Sequence, residues 1–148
     1  MEVTNNRIKG HKTVGAAIAS FHITQRKWKD ESYDPFTHDI YFHDNILERK
    51  GGVAVPDLSK EFGKMISYYC SAKQQDIVYD GITNGKGKNA MNICIQETKE
   101  DLRFTNVDAG NKFKNVSKDI SAFVCSIDKL PEVTFSESEE SEESKESK

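Results

Sequence analysis

The sequence is short of several things, and each shortage excludes something. No run approaches the ~18 consecutive apolar residues that a membrane-crossing helix needs. The longest apolar stretch near the start, Val14 to Ile23, is broken by Gly15, Ser20 and His22, and reads as a folded element rather than a secretory signal. There are three cysteines, Cys70, Cys94 and Cys125, an odd number set widely apart in apolar surroundings. That usage argues for buried free thiols in a reducing, intracellular setting, a host cell included if the protein is viral, and against a disulfide framework. A nucleotide-binding P-loop is missing too. Gly87-Lys88 is followed by Asn89 where Ser or Thr is required, and Ile82 stands where the first glycine belongs.

What is present is an uneven charge distribution. At 148 residues one domain is expected, large enough to bury roughly two thirds of its surface. From Ser136 onward six glutamates and two lysines give −4, so the total of −3 leaves about +1 on residues 1–135. Residues 1–29 hold six basic side chains against Glu2 alone. The chain divides on composition into a basic flexible arm (1–12), a single globular domain (13–135) and a disordered acidic tail (136–148).

Hydrophobic periodicity supplies the fold expectation. Met91, Ile93 and Ile95 alternate with Asn92, Cys94 and Gln96, the period of a strand with one face in a core. Strands are expected over 76–83, 90–98, 102–107 and 121–127, with a further one in 13–24. Asn84-Gly85 between the first two is a hairpin signal, because both residues accept positive φ cheaply. One helix is expected over about 57–73. Pro56 and Asp57 suit its start, and Leu58, Phe62, Met65, Ile66, Tyr69 and Cys70 form a single apolar stripe that reads as core. Gly63 inside it costs something like 1 kcal/mol relative to Ala, unless a neighbouring segment needs the close approach. The fold class is therefore α+β: a small antiparallel β-sheet or OB-like barrel with one packing helix.

Three segments interleave cations with aromatic rings or glycine. Arg26-Lys27-Trp28-Lys29 holds the only tryptophan, Lys86 and Lys88 flank a glycine in the expected hairpin tip, and Lys112-Phe113-Lys114 repeats the aromatic-between-lysines pattern. Cations that hold phosphate, beside rings that stack on unpaired bases, make a groove for single-stranded nucleic acid if the segments converge. A solvated loop and a core tryptophan would explain the same residues without function. His38, Asp39, His43 and Asp44 are possible metal ligands or acid–base groups. Histidines five apart share neither a helix face nor a strand face, so no metal site, cofactor or catalysis is expected there.

The acidic tail would serve as a solubilising segment, a competitor for the basic groove or a landing site for a protein partner. This layout resembles the phage and bacterial single-stranded DNA-binding proteins, which pair an OB-type body with an acidic tail, in tail composition and general size. Those tails commonly end in phenylalanine, whereas Lys148 stands last here. The expectation is a non-catalytic binder of single-stranded nucleic acid, ssDNA foremost, in replication of a small replicon or virus. The alternative is a protein-interaction or inhibitory module acting through the tail or the helix face.

Overall fold

The computed structural model describes residues 1–128. Eight short strands run through them: β1 (Glu2–Thr4), β2 (Arg7–His11), β3 (Val14–Ile18), β4 (Ile40–His43), β5 (Ile46–Arg49), β6 (Gln75–Tyr79), β7 (Ile93–Gln96) and β8 (Phe104–Asn106). One α-helix, α1 (Glu61–Tyr69), lies between β5 and β6. No strand pairs with its neighbour in sequence. β1, β4 and β7 form sheet A, β2 and β5 sheet B, and β3, β6 and β8 sheet C, with every strand pairing parallel. The chain thus passes through A, B and C and returns to A, tracing a parallel β-solenoid of three rungs.

This overturns the antiparallel sheet and the OB-like barrel. Residues 76–83 and 90–98 do not form a hairpin. Their strands, β6 and β7, belong to different sheets, and the Asn84-Gly85 segment is the corner joining them. Residues 121–127 form no strand but a 3₁₀ turn at Ser121–Phe123, and 13–24 divide into β3 and a 3₁₀ turn at Phe21–Thr24. The first twelve residues, expected as a flexible arm, carry β1 and β2, hydrogen-bonded to the second rung. The acidic tail, with 129–135 of the expected domain, lies outside the described residues.

Parallel register places like positions over one another. Val3, Phe42 and Ile95 stack on sheet A, and Ile77 lies over Phe104 on sheet C. The inward-facing chains of all three sheets share one interior, built on Ile18, Ile40, Phe42, Leu47, Ile77, Tyr79, Met91, Ile93, Ile95 and Phe104. Helix α1 covers the outer face of sheet C, where Ile66 and Cys70 pack on Val78 and Val107. Sheet C is therefore covered on both faces, and all five residues of β6 are buried.

The helix is shorter than its periodicity predicts. Asp57 caps a separate turn by accepting hydrogen bonds from Ser59 N (3.0 Å) and Oγ (2.6 Å), and left-handed Ser71 and Ala72 stop the helix at its far end. Gly63 has the neighbour that justifies it. A Cβ there would lie 1.9 Å from the Asp57 carbonyl oxygen.

Cys94 and Cys125 are joined in a disulfide, which corrects the expectation of three free thiols. Cys70 alone is free, and it is buried, with its thiol pKa raised by desolvation. The bond ties β7 to the segment after the Ser121–Phe123 turn, where Phe123 packs on Tyr79 (5.6 Å between ring centroids) and Phe104 (5.2 Å).

Two stability outcomes follow. Gly63→Ala, favourable by helix propensity, should instead destabilise by about 1–3 kcal/mol because backbone cannot yield to the new methyl; urea unfolding monitored by circular dichroism reads the sign. Reducing Cys94–Cys125, or replacing both with serine, should cost about 2–4 kcal/mol, seen as a lower melting temperature in reductant that the double variant no longer shows.

Candidate functional site

A solenoid brings together segments that the sequence holds apart. Sheets A and B are joined by tight two-residue turns, Asn5-Asn6 and Asp44-Asn45, each with a left-handed first residue. The corner leading from sheet C back to sheet A is built differently. It carries residues 19–39 after β3, residues 80–92 after β6 and the segment after β8. Because β3, β6 and β8 lie side by side, these three connections leave from adjacent positions. Arg26–Lys29 belong to the first, Lys86 and Lys88 to the second, and Lys112–Lys114 to the third.

Hydrogen bonds lock the three exits together. The Asp80 carboxylate, 4% exposed, accepts from Ser20 N (2.6 Å) in the first connection and from Ile82 N (3.0 Å) in its own. Its carbonyl accepts from Ala109 N (2.7 Å) in the third. Gly81, at φ +70°, makes that stacking feasible, since a Cβ would fall 2.3 Å from Asn106 Oδ1. Asn89 closes the second connection by bonding both the N–H and the carbonyl of Ile93 at 2.8 Å. In the third, Asp108 holds Asn115 through its backbone N (3.0 Å) and side-chain amide (3.1 Å).

The cations are placed outward. Arg26, Lys27, Lys29, Lys86, Lys88, Lys112 and Lys114 are all exposed. Gln25, left-handed at φ 57°, ends the Phe21–Thr24 turn just ahead of Arg26–Lys29. Residues 109–118 hold three lysines and no acid. Asp119 lies close enough to Lys88 for attraction; its carboxyl is held below the ordinary range first by hydrogen bonds from Ser121 and then by that lysine.

The two aromatic residues differ. Trp28 is 40% exposed and rests edge-on against His22 (5.2 Å) and Phe21 (6.4 Å). Phe113 is half-buried and stacked on Tyr69 (4.9 Å between centroids, 18° between planes), so one of its faces is already covered. A cavity of about 940 Å³ opens beside it, reaching from Gln25 across α1 to Phe113. The apolar stripe assigned to the core supplies part of its lining: Leu58 (57%) and Phe62 (43%) are exposed instead, as is Tyr68 (79%), which lay outside that stripe. The exposure of Tyr68 was readable, since adjacent helical residues point about 100° apart and Tyr69 held the stripe. Across the corner, Lys88 shares a cleft of about 300 Å³ with Asn115, Ser117 and Asp119.

The histidines lie in different settings. His38 sits in an exposed turn between Asp34 (3.2 Å) and Asp39 (2.5 Å). His43 is buried at the end of β4, the central strand of sheet A, where Asp44 (2.7 Å) and Glu2 (2.8 Å) flank its two ring nitrogens and Tyr41 stacks on it at 4.0 Å. The hydrogen bond to Asp44, then that to Glu2, raises its pKa. His11 moves the other way, lowered chiefly by burial.

No protein-family model, curated protein or solved structure matches the chain significantly.

A histidine whose folded pKa lies above its ordinary value of about 6.5 stabilises fully below that value, and the contribution fades as pH rises through the folded pKa. His43→Gln should therefore cost more stability in mildly acidic than in mildly alkaline buffer. Melting temperatures of wild type and variant across that range check it; a pH-independent difference would contradict the charged His43 tie.

Proposed function

We propose that this protein is a non-catalytic binder of single-stranded nucleic acid, DNA foremost, and that the strand runs along the corner from sheet C to sheet A. The observation that carries the reading is topological. Three cationic segments, far apart in sequence, are the three successive connections at one corner of one solenoid. A strand crossing them would lay its phosphates over Arg26, Lys27, Lys29, Lys86, Lys88, Lys112 and Lys114, and stack an unpaired base on Trp28. Phe113 has a smaller role than its setting between lysines suggests, because Tyr69 occupies one face. Phe113 and Tyr69 together form a wall of the neighbouring cavity. Affinity in this mechanism comes from released counterions and stacking, neither of which reads sequence strongly.

The acidic residues from Ser136 onward carry the sign that competes for the same lysines, which supports a regulatory role for them in replication of a small replicon or virus. An intracellular setting is part of this reading, and Cys94–Cys125 constrains it. Reducing compartments rarely sustain such a bond, so function there requires a fold that survives its reduction.

A second reading has its own support. Exposed Phe62 and Tyr68 on α1, with Leu58 in the turn before it, form an apolar surface of the kind protein partners cover, and a protein-interaction module would use it.

Titrating Trp28 fluorescence with oligo-dT separates the two. Quenching is expected, with affinity falling steeply as salt rises. Lys86→Glu with Lys88→Glu, and Lys112→Glu with Lys114→Glu, should each weaken binding by about tenfold or more and flatten the salt slope. Trp28→Ala should lose about 1–3 kcal/mol. Absent quenching, salt-insensitive binding, or charge reversals without effect would overturn the nucleic-acid reading. Phe62→Ala with Tyr68→Ala, by contrast, should leave oligo-dT affinity intact.

A further inference from the structure

The chain finishes the two ends of its solenoid differently. At the third rung Phe123, with Ile120 and Ala122, packs into the shared interior, and the Cys94–Cys125 bond secures that segment to β7. The first rung has no such plug among the described residues. Val3, Ile8, Ala16 and Ile18 meet Ile40 and Phe42 around an open mouth of about 610 Å³. Its rim is made of strand edges, since among the described residues β1, β2 and β3 each pair on one side only, with β4, β5 and β6. Natural edges are usually blunted by charge or proline. β3, reading Val-Gly-Ala-Ala-Ile, has neither.

We propose that the first rung is the interface with a second copy of this chain, the two meeting first rung to first rung about a two-fold axis. Whatever covers this end must offer strands to three edges and apolar side chains to the mouth, and another first rung offers both. Head-to-tail stacking would instead set this mouth against an end whose interior Phe123 already fills. Charge selects the axis. A two-fold through β3 pairs that uncharged strand with itself and sets β1 of each copy against β2 of the other, so that Glu2 faces the strand carrying Arg7 and Lys9. A two-fold through β2 would set Arg7 and Lys9 against their own copies. The contact is isologous and closes at two subunits, so it does not propagate into fibres.

Sedimentation velocity on the full chain over a range of micromolar concentrations tests the proposal, with a monomer–dimer equilibrium expected. Ala16→Lys supplies the directed perturbation. In a monomer the ammonium can reach water through the open mouth, whereas in the dimer it would be trapped. Dimer dissociation should rise at least about tenfold with circular dichroism unchanged. If that variant fails to fold, hydrogen exchange on the unaltered protein decides. Amides of β1, β2 and β3 should gain protection with concentration while those of β7 and β8 do not. A chain that stays monomeric, an Ala16→Lys dimer of unchanged strength, or concentration-dependent protection placed on α1 instead would each overturn the proposal. In the monomeric case, residues 129–148 or another protein would be left as the cover for the mouth.

Discussion

Parallel pairing across a whole rung is the constraint on which the structure depends. A parallel neighbour cannot be reached by a tight turn. The chain meets the condition by laying down three strands in three directions before returning beside the first. Each strand is then held by a partner dozens of residues away, and no rung has a core of its own. The interior is one column to which every rung contributes one layer, as Val3, Phe42 and Ile95 do on sheet A. Loss of register in one rung would therefore be felt in the next, the nearest-neighbour behaviour expected of stacked repeats.

The corners are where such a column leaves polar groups to satisfy, and buried polar side chains do it here. Asn45, 8% exposed, donates to the carbonyls of Val3 and His43 and to Glu97, while its own oxygen accepts from Asn6 N, so one amide ties three rungs at the A–B corner. At the B–C corner Asp76 has no exposed surface. It is met by Arg49, by Lys99 at 2.9 Å and by the backbone N of Arg103 at 2.8 Å. A buried carboxylate with that many donors is satisfied, and removing any one partner would leave charge stranded. Asp80 repeats the device at the C–A corner, which makes the candidate site part of the scaffold rather than an appendage to it.

Much of the local structure was legible and the architecture was not, for identifiable reasons. The alternation of Met91, Ile93 and Ile95 located β7, and the stripe through Ile66 and Cys70 located α1. Neither pattern carries strand direction, and Asn84-Gly85 suggested a hairpin because a solenoid corner and a hairpin tip use the same turn chemistry. One clue pointed the other way: from Ile77 to Tyr79 the apolar run is unbroken, as in strands covered on both faces. The repeat escaped notice because its period is irregular. Twenty-one residues enter after β3 and a helix enters before β6, so equivalent positions are spaced unevenly and self-comparison finds no fixed interval. Among the site residues, the exposed lysines and Trp28 were readable as types, but their adjacency belongs to the topology. The Cys94–Cys125 bond was invisible for the same reason, since only the return of the chain past β7 brings the two thiols within reach.

The uneven corners also account for where a ligand surface can arise. The A–B corner is limited to two residues per turn by the amide stack that closes it, and an inserted residue would pull Asn45 away from Val3 and Glu97. The C–A corner has no such limit, because the fixed points its connections share, Ser20, Asp80 and Ala109, lie at the base of each connection. Beyond those points the chain can lengthen at small entropic cost, since loop closure grows only slowly with length. Charge placed there meets solvent rather than the packed interior, and three rungs place it three times on the same edge. A cationic surface at this corner is therefore what the solenoid permits at least expense to its core, and the lysines at 86, 88, 112 and 114 occupy the positions where the fold is freest to carry them.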